Sequence, residues 1–349
     1  MTNKKLMNRR IVLAHRPQPS ATLASFRLEQ APIPDLAQGE VLLRTLWLSL
    51  DPYMRGRMSD APSYTAPVAI GDVMTGQTVS RVESSLNASY RAGDLVLAPS
   101  GWQEFAVSDG HDLTALPDGL TRLSWALGIL GMTGFTAYMG LLDIGKPMPG
   151  ETVVVAAATG AVGSIVGQIA KLKGCRIVGI AGGAEKCRWA VNELGFDACI
   201  DHRSPALADL LAAACPKGID VYFENVGGKI FRAVVPLLNP HARIPVCGLI
   251  AHYNTDAKPA EADWAATLMR SILVKRITMR GFIIYDDYGH RFEEFLTSMQ
   301  AWLRDRRIKY REDIVHGLEH APQAFLGLLE GANFGKLVVS LDDALGATA

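Results

Sequence analysis

The chain has 349 residues, 49% of them hydrophobic, with 35 Lys plus Arg balanced by 35 Asp plus Glu. That length and apolar content fit two domains with a large core, and the balanced charge excludes a basic field for nucleic acid or anionic membrane. No apolar run reaches the roughly 18–20 residues of a membrane span, and the basic MTNKKLMNRR is followed by IVLAHRPQPS, which lacks a signal peptide's apolar core, so a cytoplasmic location is expected.

From about Arg10 to Asp112 the pattern is one of short strands broken by Gly, Pro and Asp. Strands are expected at Arg10–Ala14, Glu40–Leu50, Gly76–Val82, Asp94–Ala98 and Gln103–Val107, which predicts a β-rich barrel or sandwich. The loop after Leu50, DPYMRGRMSDAPSY, is rich in aromatic, Met and Arg residues. It is either a surface loop with a few packed aromatics or a pocket wall formed by Tyr53 and Tyr64.

The chain turns helical from about Ser124 (SWALGILGMTGFTAYMGLLDIG) and then enters a strand, Val153–Ala158. That strand runs into Ala157-x-x-Gly160-x-x-Gly163, followed by a helical pattern with Val162, Val166, Ile169 and Lys173 a turn apart, closing at Gly174. A second apolar strand follows at Arg176–Ala181. A strand, Gly-rich turn, helix and strand in this order aim a helix N-terminus and free backbone N–H groups at a pyrophosphate. Strands and helices then alternate: Ala198–Asp201, Leu207–Cys215, Val221–Glu224, Lys229–Leu238, Ile244–Cys247, Trp264–Val274 and Ile277–Ile284. About six strands in this rhythm make a doubly wound parallel sheet. Tyr288–Arg306 reads as one amphipathic helix. The tail from Tyr310 reads as strand, helix (Ala321–Glu330) and strand (Lys336–Ser340), and is expected to return to the first domain.

An NAD site places an acidic residue about twenty residues beyond the glycines, on the ribose 2′-hydroxyl. Here that position is Ala181-Gly182-Gly183, followed by Lys186, with Arg188 and Arg203 not far off. Small residues leave room for a 2′-phosphate and a cation offsets its charge, so NADP(H) is expected. A bound catalytic zinc is not. Residues 1–174 contain no cysteine, and His15 and His111 have no ligand spacing around them. The five cysteines, Cys175, Cys187, Cys199, Cys215 and Cys247, show no CxxC and read as reduced, buried thiols.

Nine motifs occur together: LSLDPYMR from Leu48, GMTGFTAY from Gly131, AATGAVGS from Ala157, Glu185-Lys-Cys187, FENVGG from Phe223, PVCG from Pro245, Tyr253-Asn254, RGFI from Arg280 and NFGK from Asn333. On these the chain resembles the zinc-independent medium-chain dehydrogenase/reductases of the prostaglandin reductase, or leukotriene B4 12-hydroxydehydrogenase, group, most of all its bacterial NADPH-dependent curcumin reductase branch. The likeness runs from about Asn8 to Val339.

The resemblance implies an α/β protein: a GroES-like catalytic domain over residues 1–130, a Rossmann NADPH-binding domain over 131–308, and a C-terminal segment, 309–349, returning to the first. Matched motif by motif, Gly160, Ala161, Val162 and Gly163 cover the pyrophosphate and Lys186 the 2′-phosphate. Asn225 lies near the cofactor ribose, Cys247, Gly248 and Tyr253 with Phe282, Ile283 and Ile284 line the nicotinamide half, and Asn333 reaches in from the other domain. His202 stands where many relatives have a tyrosine on the 2′-phosphate, and a histidine is charged only in part near neutral pH. Members of the group are commonly homodimers, joined through the Rossmann sheet edges, and Ile277–Ile284 is the natural edge here.

The expected reaction is hydride transfer from NADPH to the β-carbon of an α,β-unsaturated ketone or aldehyde, with Tyr253 as the donor that holds the enolate oxygen. Tyr53, Tyr64, Met132 and Tyr253 would line a pocket for a flat, apolar, conjugated substrate of the alkenal, alkenone or curcumin type. The competing enzyme readings are a quinone reductase or an enoyl-thioester reductase on the same fold. The competing non-enzyme reading is an NADPH-binding structural or sensor protein.

Overall fold

The computed structural model describes residues 7–117, 119–120, 122–254 and 262–341, and the N-terminal residues 1–6 of the basic stretch lie outside them. The backbone divides into two units: Met1–Gly128 with Glu312–Asn333 and Leu337–Ala349, and Ile129–Arg311 with Phe334–Lys336.

The first unit opens with an antiparallel pair, β1 (Met7–Leu13) and β2 (Phe26–Pro32). Then come β3 (Val41–Ser49), the single helical turn α1 (Met54–Arg57), β4 (Thr78–Ser85), β5 (Leu95–Ala98), β6 (Phe105–Ser108) and β7 (Thr114–Ala115). The centre is β3, where Val41–Arg44 pair with β6, Trp47–Ser49 with the last strand of the chain, and nearly the whole length with β4. From Thr45 onward every residue of β3 is buried, because both of its faces are covered. On one face Leu48 joins Trp102 and Phe325, and on the other Leu46 and Trp47 join Val79, Leu127 and Val338. Trp102 stacks on Phe26 at 5.5 Å and meets Phe325 edge-on at 5.5 Å. Rings in these arrangements each remove about 150–250 Å² from water. Two strands escape the sequence reading. β2 (FRLEQAP) is largely exposed and polar, and β7 is only two residues long.

The second unit alternates from β8 to β13 after α2 (Met132–Met139) and closes on two helices: β8 (Thr152–Ala156), α3 (Gly163–Leu172), β9 (Arg176–Ala181), α4 (Ala184–Asn192), β10 (Ala198–Asp201), α5 (Leu207–Ala214), β11 (Ile219–Phe223), α6 (Gly228–Val234), β12 (Leu238–Val246), α7 (Ala262–Lys275), β13 (Thr278–Gly281), α8 (Ile284–Tyr288) and α9 (Phe292–Arg304). The six strands are all parallel, in the order β10-β9-β8-β11-β12-β13. The order reverses between β8 and β11, which is the crevice where such sheets bind ligands. Val154, Val178, Tyr222 and Ile244 fill the core beneath α5, α6 and α7.

Two expectations are corrected. The single helix over Tyr288–Arg306 is broken into α8, a 3-10 turn (Gly289–Arg291) and α9. Tyr288 leaves helical geometry at φ −130°, and both its hydroxyl and the Arg291 guanidinium donate to Asp143, at 2.8 and 3.1 Å. Those two donors hold the Asp143 carboxyl below the usual carboxylate range, Tyr288 first. The edge strand is also shorter than Ile277–Ile284, since Phe282 and Ile284 turn into the core. At Gly140, where α2 gives way to a π turn, an added Cβ would stand 2.8 Å from the rings of both Phe223 and Phe282.

The tail supplies β14 (Glu312–His316), α10 (Ala321–Leu329) and β15 (Lys336–Ser340), completing a seven-stranded sheet ordered β14-β15-β3-β4-β5-β7 with β6 paired to β3.

Candidate active site

The phosphate loop forms where β8 ends. Ala157 takes a positive φ of 51°, its carbonyl accepts the Gly160 N–H at 2.9 Å, and α3 begins at Gly163. A Cβ at Gly163 would lie 2.3 Å from the Ala157 oxygen, so the helix can start this close to the strand only with glycine. Such a start presents the first N–H groups of a helix, through Ala161, Val162 and Gly163, to a ligand. These residues therefore fit a pyrophosphate.

At the end of β9 the Gly182–Gly183 turn is tied down by Asp201, whose Oδ1 accepts the N–H groups of Gly183 and Arg203 at 3.0 and 2.9 Å. Those bonds, Gly183's first, hold the Asp201 carboxyl below its usual range. The nearby carboxylate is thus occupied by backbone. Over the turn lie His202 and Arg203: a Cβ on Gly182 would meet the His202 Nε2 at 2.9 Å and the Arg203 Nη2 at 3.5 Å, and one on Gly183 the Arg203 Nη1 at 3.5 Å. Burial, and then the charge of Lys229, pushes the His202 imidazole below the usual histidine range. Its Nδ1 is buried without a hydrogen-bond partner among the described residues, so a second ring proton would be stranded there. A neutral ring with the proton on Nε2 avoids that penalty and leaves a donor beside the turn. The exposed Arg203 guanidinium supplies charge that this histidine lacks.

Sequence reasoning noted Arg203 only in passing and missed Phe334 and Arg311. The Phe334 ring has the Arg311 guanidinium 4.1 Å from its centroid, the Lys186 Nζ at 5.9 Å and the Trp189 ring edge-on at 5.0 Å. Next to it, the Gly335 N–H donates to the Thr159 carbonyl at 3.1 Å, on the phosphate loop itself. Gly335 sits at φ 95°, and a Cβ there would lie 2.3 Å from the Arg311 oxygen. The NFGK run carried this signal, an aromatic and a glycine before a strand, but nothing local to it says which loop it meets. Asn333 belongs to the first unit and the three residues after it to the second.

At the switch point the Asn225 amide donates to the Ala156 carbonyl at 2.8 Å, bridging the ends of β8 and β11. The stretch after β12 contains Cys247 and Gly248 and makes a 3-10 turn (Ile250–His252) leading to Tyr253. The half-buried Tyr253 hydroxyl folds back to accept the Leu249 N–H at 3.5 Å. Burial pushes the Cys247 thiol up to about 12, which removes it as a nucleophile. Phe282 and Ile284 are buried and Ile283 half-buried, its N–H donating to Asp287 at 2.8 Å.

Of the expected substrate-lining residues, Met132 starts α2 and, like Tyr253, belongs to the second unit. Tyr53 and Tyr64 belong to the first, Tyr53 half-buried against its core and Tyr64 60% exposed. Among the described residues no three His, Cys, Asp or Glu side chains gather as a metal ion would require.

Two family models match: "N-terminal domain of oxidoreductase" over residues 9–116 and "Zinc-binding dehydrogenase" over 161–301. The NADPH-dependent curcumin reductase of Escherichia coli is 59% identical over 339 residues, 97% of this chain and 98% of that protein. Prostaglandin reductase 1 of Bos taurus is 41% identical over 323 residues, 91% and 94% of the two chains. CurA of Vibrio vulnificus, solved in complex with NADPH, superposes with a TM-score of 0.94 at 59% identity, covering 96% of this chain and 99% of that one. With identity at this level over nearly its whole length, the chain belongs to the zinc-independent medium-chain dehydrogenase/reductases of the prostaglandin reductase group.

Proposed function

We propose that the protein is an NADPH-dependent ene-reductase, reducing the carbon–carbon double bond of α,β-unsaturated ketones and aldehydes. The observation that carries this reading is a phosphate loop beside a diglycine turn overlain by His202 and Arg203, in a chain 59% identical to an NADPH-dependent curcumin reductase. When bound, NADPH supplies the hydride that the substrate β-carbon accepts. The chain's own residues do the rest. The N–H groups of Ala161, Val162 and Gly163, with Gly160 shaping the loop, hold the pyrophosphate, while Lys186, Arg203 and the Nε2 donor of His202 hold the 2′-phosphate. Asn225, Cys247, Gly248 and the Phe282–Ile284 stretch shape the nicotinamide half, and Asn333 of the NFGK motif is a further coenzyme contact.

Charge gathers on the substrate carbonyl oxygen as the β-carbon is reduced, and Tyr253 stabilises it by donating its O–H. Accepting from Leu249 orients that hydroxyl and polarises its proton. Tyr53, Tyr64 and Met132 supply apolar and aromatic surface suited to conjugated chains. The test is NADPH consumption with a panel of free enones and enals, quinones and enoyl thioesters, with saturated alcohols plus NADP as control. Turnover concentrated on the free enones and enals is expected. A preference for quinones or thioesters would replace the reading with the corresponding rival, and no turnover with any of them would leave only a binding protein.

The protein works as a homodimer inside the cell. The five cysteines are free thiols, as suits a reducing compartment. All four residues of the edge strand β13 are exposed. On the neighbouring α7, Leu268 and Ile272 pack inward while Met269 and Leu273 stand 64% and 78% exposed. An unpaired edge beside an apolar helix face is a surface for a second copy. Leu273→Glu is expected to halve the mass seen by sedimentation while the melting temperature of the monomer holds, and an unchanged mass would place the dimer contact elsewhere.

A further inference from the structure

The ENVGG turn contains a carboxyl group that the chemistry above does not use. Glu224 follows β11 and is fully buried, in a unit where most charged residues reach water. Oε1 curls forward to accept the N–H of Val226 at 2.6 Å and of Gly227 at 2.8 Å, bending the turn that leads into α6. A short carboxyl loop of this kind fixes the conformation of the residues it spans. Oε2 lies beside the buried hydroxyl of Tyr222 two residues before it, outside ordinary hydrogen-bond geometry.

The backbone of this turn is the template for the next loop. The Glu224 N–H donates to Pro245 at 3.0 Å, and its carbonyl accepts the N–H groups of Cys247 and Gly248 at 2.9 and 3.2 Å. The Asn225 carbonyl then accepts Ile250 at 3.3 Å, and that of Val226 accepts Ala251 at 3.0 Å. Three consecutive carbonyls thus lay down the segment from Cys247 to Ala251, two residues short of Tyr253. Close packing completes the match: Gly227 sits at φ 76°, and a Cβ on it would lie 3.0 Å from the His252 ring.

We propose that Glu224 is a positioning residue for the reaction, its buried carboxyl setting the 224–228 turn so that the loop laid on it presents Tyr253 to the substrate oxygen. This rests on the assignment of Tyr253 as the oxyanion donor. The inference concerns the acceptor oxygen and not a negative charge. Burial pushes the Glu224 carboxyl above the usual carboxylate range, against the backbone N–H groups it accepts, and a glutamine keeps an acceptor oxygen at that place. In Glu224→Gln the amide oxygen replaces Oε1, and the amide nitrogen takes the place of Oε2 with the Tyr222 hydroxyl within its neighbourhood. Glu224→Met keeps the volume and loses the acceptor.

The test is a double-mutant cycle with Tyr253→Phe, reading kcat for one enone and KM for NADPH. Glu224→Met is expected to lower kcat about tenfold or more with KM for NADPH within about twofold, and Glu224→Gln to restore the wild-type rate. The Glu224→Met/Tyr253→Phe variant should be no slower than Tyr253→Phe alone, because a misplaced hydroxyl and an absent one cost the same step. Losses that multiply in the double variant, or a glutamine as slow as methionine, would overturn the role of Glu224. A Tyr253→Phe enzyme at the wild-type rate would instead sink the assignment of Tyr253. If Glu224→Met yields no cooperative melting transition, Gly227→Ala enters the same cycle, since it pushes on the same loop through His252. It must then also slow kcat without adding to Tyr253→Phe, or the proposal falls.

Discussion

Tyr253→Phe is expected to lower kcat for enone reduction by about 10²–10³-fold, the loss seen when one oxyanion donor is removed, while KM for NADPH stays within about twofold. The split follows from where the hydroxyl sits. It accepts the Leu249 N–H within its own loop, away in sequence from the phosphate loop and the diglycine turn. Phenylalanine keeps the ring, and with it the packing. A stopped-flow trace at saturating NADPH would show the hydride step itself slowed. An unchanged kcat would mean that another donor stabilises the developing charge.

The second large effect is on coenzyme choice. Lys186→Ala with Arg203→Ala is expected to raise KM for NADPH roughly 10–100-fold, the worth of one or two hydrogen bonds to a charged group, and to leave KM for NADH nearly unchanged. Arg203 is exposed and water screens its charge, so it accounts for the lower part of that range. The half-buried Lys186, with the Phe334 ring at 5.9 Å, accounts for more. His202→Phe should cost less than either cation, because a neutral ring gives up one donor and no charge. Equal losses with both coenzymes would show that these side chains support the fold of the site without reading the phosphate.

How much of this was legible in the chain depended on how local each signal is. The central strands β8, β9 and β11 are readable because parallel strands covered on both faces are largely apolar runs, and β9 and β10 fall where strands are expected. The loop Ala157–Gly163 was readable because its glycines answer to one carbonyl oxygen a few residues away. β2 was not, since a strand half in water carries ordinary polar residues. Neither was the break after Tyr288, whose cause, Asp143, lies 145 residues earlier in the chain. The same holds at the site. Lys186 and Asn225 stand in motifs of their own, but the neighbours that hold them, Phe334 and Ala156, are far away in sequence. Arg203 carries no pattern at all, and only the fold places its guanidinium over Gly182 and Gly183.

The seating of Phe334–Lys336 on the second unit has a consequence for biosynthesis. The Gly335 bond to Thr159 closes a neighbourhood whose other parts leave the ribosome some 170 residues earlier, and β15 fills its slot beside β3 only with residues up to Ser340. Neither half of the molecule is therefore finished until residues 334–340 have been made. Nascent chains stalled before Gly335 should fail to retain coenzyme, so capture of NADPH waits for a segment made long after the phosphate loop it contacts.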